Sequence, residues 1–185
     1  MDFIDTKTAL TIVHVFGAII GAGGAYMSDL MFFSSIKDEK IEPLEFKFMR
    51  LGSRMVWLGL IILIVSGISL FLTDVDKYMH STKFLAKMTI VGIIFANGIF
   101  FHLTHLPRMR RHQNTHLPSS DEFSRKAHLL VASGAISFIS WTTSVIFGSL
   151  KSIPYSYSEI MLGYFVIVAV AIAISVPLFK KQYHF

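Results

Sequence analysis

Five long runs without Asp, Glu, Lys or Arg constrain this chain more than any other feature of its sequence. The runs cover residues 8–28, 55–73, 88–107, 129–150 and 160–179. A helix needs about 20 apolar residues to cross a hydrocarbon core about 30 Å thick. The pattern therefore predicts an all-α membrane bundle with five transmembrane helices, at about 8–33, 54–73, 84–106, 127–149 and 159–179.

Composition supports one transmembrane domain over residues 1–185. Hydrophobic residues make up 53% of the chain and charged residues only 16%, which is too apolar for a soluble domain. The first run follows the acidic start MDFIDTK and lacks a basic leader, so we do not expect a cleaved signal peptide. Cysteine is absent, which excludes disulfides, cysteine-ligated iron–sulfur clusters and c-type haem attachment.

Lys and Arg are concentrated in alternate connections, which predicts the orientation. Twelve of them lie in 34–54, 107–126 and the C-terminal tail, whereas the other side carries Lys7, Lys77, Lys83 and Lys151. Because basic residues remain on the cytoplasmic side, we expect the N-terminus outside and the C-terminus inside. The net charge of +5 then reflects membrane topology, and we expect no nucleic-acid partner.

Two prolines predict helix boundaries at the cytoplasmic side. Pro43 suits the first turn of a second helix that begins before the membrane. Pro107 should close the third helix, because the residue before a proline disfavours helical angles.

Four histidines lie in or at the edges of the apolar runs. They are His14, His102, His105 and His128. Ionisable groups at membrane depth usually face the bundle interior or a water-filled cavity. Each histidine could simply hydrogen-bond to a neighbouring helix, but four in so short a chain favour ligand roles.

His14 shares a helix face with Gly17 and Gly21. This small-xxx-small pattern is typical of close helix packing. Glycine also lets a ligand approach the backbone, so a flat macrocycle could lie against this strip of glycines. Because His14 lies above the strip, we favour a macrocycle over a packing helix. On the third helix Gly98 stands in the same relation to His102 and His105.

His102 and His128 are predicted at similar depths near the cytoplasmic side, on helices joined by a short connection. They form the first expected axial pair for haem iron, with His14 and His105 next. His14 should lie well over ~10 Å from His102 along the bundle, so it would serve a second, outer site. Asp29, near the level of His102, is predicted as an ion-pair partner of Arg54, a proton acceptor or a metal ligand.

The stretches HVFGAIIGAGGAYMSDLMFF and FKFMRLGSRMVWLGLIILIVSGISLFL resemble small bacterial membrane proteins related to haem-b-containing protoporphyrinogen oxidase, and copper-resistance membrane domains. The resemblance covers roughly residues 1–105 and implies a haem-b bundle. In these families a His and a Gly recur on the first helix, and a Lys and a His recur on the third. The corresponding residues here are His14, Gly24, Lys87 and His102. The family's Trp-Phe-Ala-Gly reads GAGG here and its Pro-Arg pair reads Asp29-Leu30, so these departures weaken the case for porphyrinogen oxidation, while the resemblance still implies haem binding.

The favoured hypothesis is a b-type cytochrome of the bacterial inner membrane. It would bind one or two haems b and transfer electrons to or from quinone or a small redox protein. The alternative is a transition-metal transporter or sensor using Asp29, His102, His105 and His128. A scaffold with hydrogen-bonded histidines is a third. The sequence leaves open whether the protein is an enzyme and whether it forms a homo-oligomer.

Overall fold

The computed structural model describes residues 5–37, 39–117 and 120–183, and the regular structure in these ranges is helical. Its elements are α1 Thr6–Lys37, α2 Pro43–Leu72, α3 Val75–Met79, α4 Thr82–Phe100, a π-helical segment Phe101–His105, α5 Leu106–Arg111, α6 Asp121–Ser149 and α7 Tyr157–Tyr183.

Five helical stretches are long and apolar enough to cross a membrane, as predicted. They are Thr6–Ser35, Pro43–Leu72, Thr82–Arg111, Arg125–Ser149 and Tyr157–Phe179. Most of them extend past the predicted spans at the end of the bundle where the connections 39–42 and 112–120 lie. We call this the basic end, after the Lys and Arg residues there, and the opposite end the N-terminal end.

The predicted start of α2 is confirmed. Pro43 occupies the first turn, and the amide of Glu42 donates to the carboxylate of Glu45 at 2.9 Å in a capping box. Proline fits here because its missing N–H would have no partner in the first turn of a helix.

The predicted end of the third helix at Pro107 is wrong. Helical structure continues through Pro107 to Arg111, after a π-helical turn in which the Leu106 amide donates to the Phe101 carbonyl. Proline cannot donate a hydrogen bond, and its ring collides with the carbonyl four residues earlier. A widened turn directly before the ring gives that carbonyl room, so the helix continues.

Helices α1 and α2 form the tightest pair in the bundle because glycines on both let their backbones touch. A Cβ on Gly59 would lie 2.5 Å from the Gly21 backbone, and one on Gly24 would lie 2.7 Å from the Gly52 carbonyl oxygen. Small residues allow this approach between membrane helices. α6 and α4 pack beside the pair, and α7 packs against α6 and α4.

The buried apolar side chains form two clusters. One lies at the basic end, where Ile41 and Leu117 of the connections pack with Met49 and Met109. The other lies in the middle of the bundle around Trp141, which is only 2% exposed. Two cavities border this second cluster.

Candidate functional site: two cavities along the bundle

The larger cavity lies towards the N-terminal end and is lined by His14. Its volume is about 350 Å³. Among its lining residues are His14 and Ala18 of α1, Leu60, Gly67 and Phe71 of α2, Phe84, Lys87 and Met88 of α4, and Trp141 and Ser144 of α6. Almost all of this lining is apolar, so the cavity suits a hydrophobic ligand. We call it the His14 cavity.

The imidazole of His14 is held by a serine that the sequence analysis did not single out. His14 Nδ1 lies 2.9 Å from the Ser66 hydroxyl, which itself lies 2.5 Å from the Ile62 carbonyl oxygen. The carbonyl can only accept, so the hydroxyl donates to it and accepts from Nδ1–H. This tautomer leaves the lone pair of His14 on Nε2, where a metal ion can bind.

Lys87 lines the same cavity from α4 and is partly buried. Within the described ranges it forms no ion pair, so its ammonium is free to meet an anionic group of a ligand. Its Nζ lies beside Gly148, near the end of α6, 3.5 Å from where a Cβ would stand there.

The glycines expected beside His14 are covered by protein. A Cβ on Gly17 would meet Ile62 at 2.8 Å, one on Gly21 would collide with Trp141, and Gly24 faces Gly52. Of the two interpretations of the strip, the geometry supports close helix packing. A macrocycle at His14 would therefore lie towards α4 and α6, on the side of the cavity.

His102 lies away from the His14 cavity. It is exposed on the π-helical segment, its Nδ1 lies 3.5 Å from the Ser53 hydroxyl, and its ring meets the edge of Trp57. His128 is partly buried on α6. No hydrogen bond or ring contact joins the two in the described part of the chain, so their pairing stays a prediction.

His105 is fully buried, and its hydrogen bond sets the opposite tautomer to that of His14. Its Nδ1 lies 3.2 Å from a guanidinium nitrogen of Arg108, which can only donate. The proton of a neutral ring is then on Nε2, which has no partner. This leaves His105 without a free lone pair for a metal ion.

The smaller cavity contains Asp29 together with several other polar side chains. Its volume is about 40 Å³, and Asp29 shares it with Ser28, Ser53, Asn97, Ser133 and Ser137. Gly98 also lines it, beside Trp57, so this glycine belongs to a different cavity from His14. Asp29 makes no ion pair with Arg54 in the described structure. We call this the Asp29 cavity.

A cluster of charged side chains lies at the basic end. Glu122 accepts hydrogen bonds from Arg111 at 2.7 Å and from His112 at 3.2 Å, and the buried Arg108 lies 3.6 Å away. These bonds, that from Arg111 first, lower the pKa of Glu122 below its ordinary value. The cluster joins α5 to the start of α6.

The described residues contain no group of three or more His, Asp or Glu side chains that could hold a metal ion. The alternative Asp29–histidine metal site therefore has no geometric support. Ser66, Asn97 and Ser133 were missed by the sequence analysis. Their common signal, a small polar residue inside an apolar run, is frequent in membrane helices and does not by itself reveal a site.

Comparison with known proteins does not assign this chain to a family. No family model matches this chain, and no curated protein or solved structure is similar to it at a significant level. The resemblance described above remains a prediction based on the quoted residues.

Proposed function

We propose that this protein is a b-type cytochrome-like membrane protein that binds haem b in the His14 cavity and transfers electrons within the membrane. The observation that carries the proposal is an imidazole with a free Nε2 lone pair lining an apolar cavity of about 350 Å³. Ligand cavities in proteins commonly measure about 300–1,000 Å³ and combine apolar walls with a few polar groups.

The residues of the cavity suit haem in three respects. His14 would bind the iron, and Ser66 would fix the ring orientation, as outer partners of metal-bound histidines do. Phe71, Phe84 and Trp141 supply aromatic walls against a porphyrin face. The Lys87 ammonium can pair with a propionate.

Bound haem would supply a one-electron couple at the iron. The protein itself would ligate the iron, exclude water and set the reduction potential of the haem through apolar burial. Met79, Met88 and Lys87 are the other cavity side chains able to ligate iron. Of the two cavities, the His14 cavity is the one with a volume in the range of ligand sites, so we propose a single haem.

Electron partners follow from the location. Five helices able to cross a membrane, with many exposed apolar side chains, support a membrane quinone or a small redox protein as the electron partner. We propose the bacterial cytoplasmic membrane as the location, on the resemblance of the first 105 residues.

A reduced-minus-oxidised absorption spectrum tests the proposal. Wild type, His14→Ala and His102→Ala would be produced with ample haem supply, checked for folding by size exclusion and circular dichroism, and assayed for haem per chain. We expect about one haem in wild type and in His102→Ala, and almost none in His14→Ala. A folded but colourless wild type would contradict the proposal. If His102→Ala loses its haem and His14→Ala retains it, the haem is bound by the predicted pair His102 and His128 instead.

A further inference from the structure

The Asp29 cavity has no role in the proposed haem site, yet it holds a carboxyl group in an unusual position. Asp29 Oδ2 is fully enclosed and has no hydrogen-bond partner. Its Oδ1 faces Gly134 of α6, 3.4 Å from where a Cβ would stand there. An ionised carboxylate enclosed in this way needs a cationic partner, whether an ammonium, a guanidinium, a metal ion or a proton.

The neighbouring polar groups are already engaged with one another. Asn97 Nδ2 donates to the Ser133 carbonyl at 3.0 Å, and the Ser133 hydroxyl donates to Asn97 Oδ1 at 2.9 Å. The Ser28 hydroxyl lies 3.4 Å from the Met49 carbonyl. Among the polar side-chain atoms that line this cavity in the described structure, Asp29 Oδ2 is the fully enclosed one without a partner.

No basic side chain lines this cavity. The charged or titratable groups of the surrounding elements lie outside this lining, and His102 borders it through its contact with Ser53. Arg54 of α2 is exposed, Lys87 of α4 lines the other cavity, His102 lies against Ser53, His105 bonds to Arg108 of α5, His128 of α6 is partly buried, and Tyr164 of α7 bonds to Ser140.

The cavity also lacks the ligands that a metal ion requires. Hard cations such as Mg²⁺ and Ca²⁺ take six to eight oxygen ligands, often several of them carboxylates. Among the described residues Asp29 is the only carboxylate in the lining, and the Asn97 oxygen already accepts a hydrogen bond from Ser133. Water fits more easily, because one molecule needs about 10–15 Å³ and the cavity measures about 40 Å³.

We propose that Asp29, together with water in this cavity, forms a reversible proton-binding site inside the bundle. The carboxylate takes a proton from hydronium and becomes a carboxylic acid, and water is the other product. The carboxylic acid gives the proton back to water in the reverse step. The site lies apart from the His14 cavity and does not depend on haem.

Infrared spectroscopy of the purified protein in lipid nanodiscs tests this site. A protonated carboxylic acid has a carbonyl stretching band separate from the carboxylate bands, and this band shifts in D2O. We expect such a band in wild type, with an intensity that changes reversibly with pH. It should be absent in Asp29→Asn and unchanged in Asp76→Asn, a matched control because Asp76 is exposed on α3.

Three results would overturn the proposal. One is a wild-type spectrum without a pH-dependent carboxylic acid band, which needs no variant and so holds even if Asp29→Asn does not fold. Another is a band that persists in folded Asp29→Asn. The third is loss of the wild-type band on adding NaCl but not choline chloride at constant pH, which would show a sodium site instead. Haem content is measured separately, so either proposal can fail alone.

Discussion

The two cavities lie along one bundle and share the side chains of Ile94 and Trp141, but they differ in size and chemistry. The His14 cavity measures about 350 Å³ and is lined almost wholly by apolar groups, whereas the Asp29 cavity measures about 40 Å³ and contains serines and an asparagine. The first has room for a planar cofactor and the second only for water-sized guests. One helix pair, α1 and α2, contributes to both.

The difference shows that an ionisable residue in an apolar helix takes its role from what surrounds it. His14 has a hydrogen-bond acceptor at Nδ1, which frees its other nitrogen towards an apolar space. His105, also in a membrane helix, has a donor at Nδ1 and therefore lacks that lone pair. Asp29 has neither a donor nor a cation, which makes a proton its simplest partner.

The largest expected effect comes from removing the larger of the two side chains that both cavities share. Trp141→Ala should lower the free energy of unfolding by about 3–5 kcal/mol, the usual cost of truncating a buried tryptophan. It should also join the cavities, admit water to the haem site and reduce haem retention. Thermal unfolding in detergent and haem content after purification measure these effects.

The matched control for Trp141 is Trp57→Ala, because Trp57 lines the Asp29 cavity alone. It should alter the Asp29 carboxyl band and leave haem content near the wild-type value. Equal haem loss in the two variants would mean that the cavities do not act as separate sites.

The next effect concerns the close contact of α1 and α2. In Gly59→Ala the new methyl group would lie 2.5 Å from the Gly21 backbone, so the helices must separate. Overpacking of this kind costs about 1–3 kcal/mol, and we expect a lower unfolding temperature. Gly23→Ala is the control, since nothing lies within 4 Å of its added Cβ. If both variants unfold at the same temperature, the glycine contact does not hold the pair together.

A smaller effect is expected at the hydroxyl that orients His14. Ser66→Ala removes the acceptor of Nδ1–H, and loss of such an outer partner weakens metal affinity about 10–100-fold. Haem titration into haem-depleted protein would measure it. Ser69→Ala removes a hydroxyl that bonds only to the Val65 carbonyl of its own helix, and it should bind haem like wild type. Unchanged affinity in Ser66→Ala would contradict the assigned tautomer.

The sequence alone was sufficient to predict the five helices, since uncharged runs of membrane length have few other stable structures. It also located the start of α2, where proline and two glutamates act locally. The continuation past Pro107 was missed because a π-helical turn depends on how the widened helix packs, which residue types do not indicate.

The candidate sites were predictable in part. Polar residues in apolar runs identified His14 and Asp29 as unusual. Residue types alone could not show that Gly17, Gly21 and Gly24 face protein, because one helix face fits either a ligand or a partner helix. The tautomers of His14 and His105 depend on Ser66 and Arg108, and the partner of His14 is 52 residues away in the chain.

The smallest expected effect lies at the basic end, outside both cavities. Glu122 has its pKa lowered by hydrogen bonds from Arg111 and His112, so its carboxylate stabilises the folded state above the pKa of the unfolded chain. That contribution is lost as the pH falls through the lower, folded-state pKa. Glu122→Gln should therefore lower the free energy of unfolding at neutral pH by no more than about 1 kcal/mol, because the pair is so exposed, and thermal unfolding measures the change. The difference from wild type should vanish in acid, where both side chains are neutral, while the haem content and the Asp29 band stay unchanged. A change in haem content or in the Asp29 band would mean that the ion pairs at the basic end influence the cavities. The two sites would then depend on the charged cluster around Glu122.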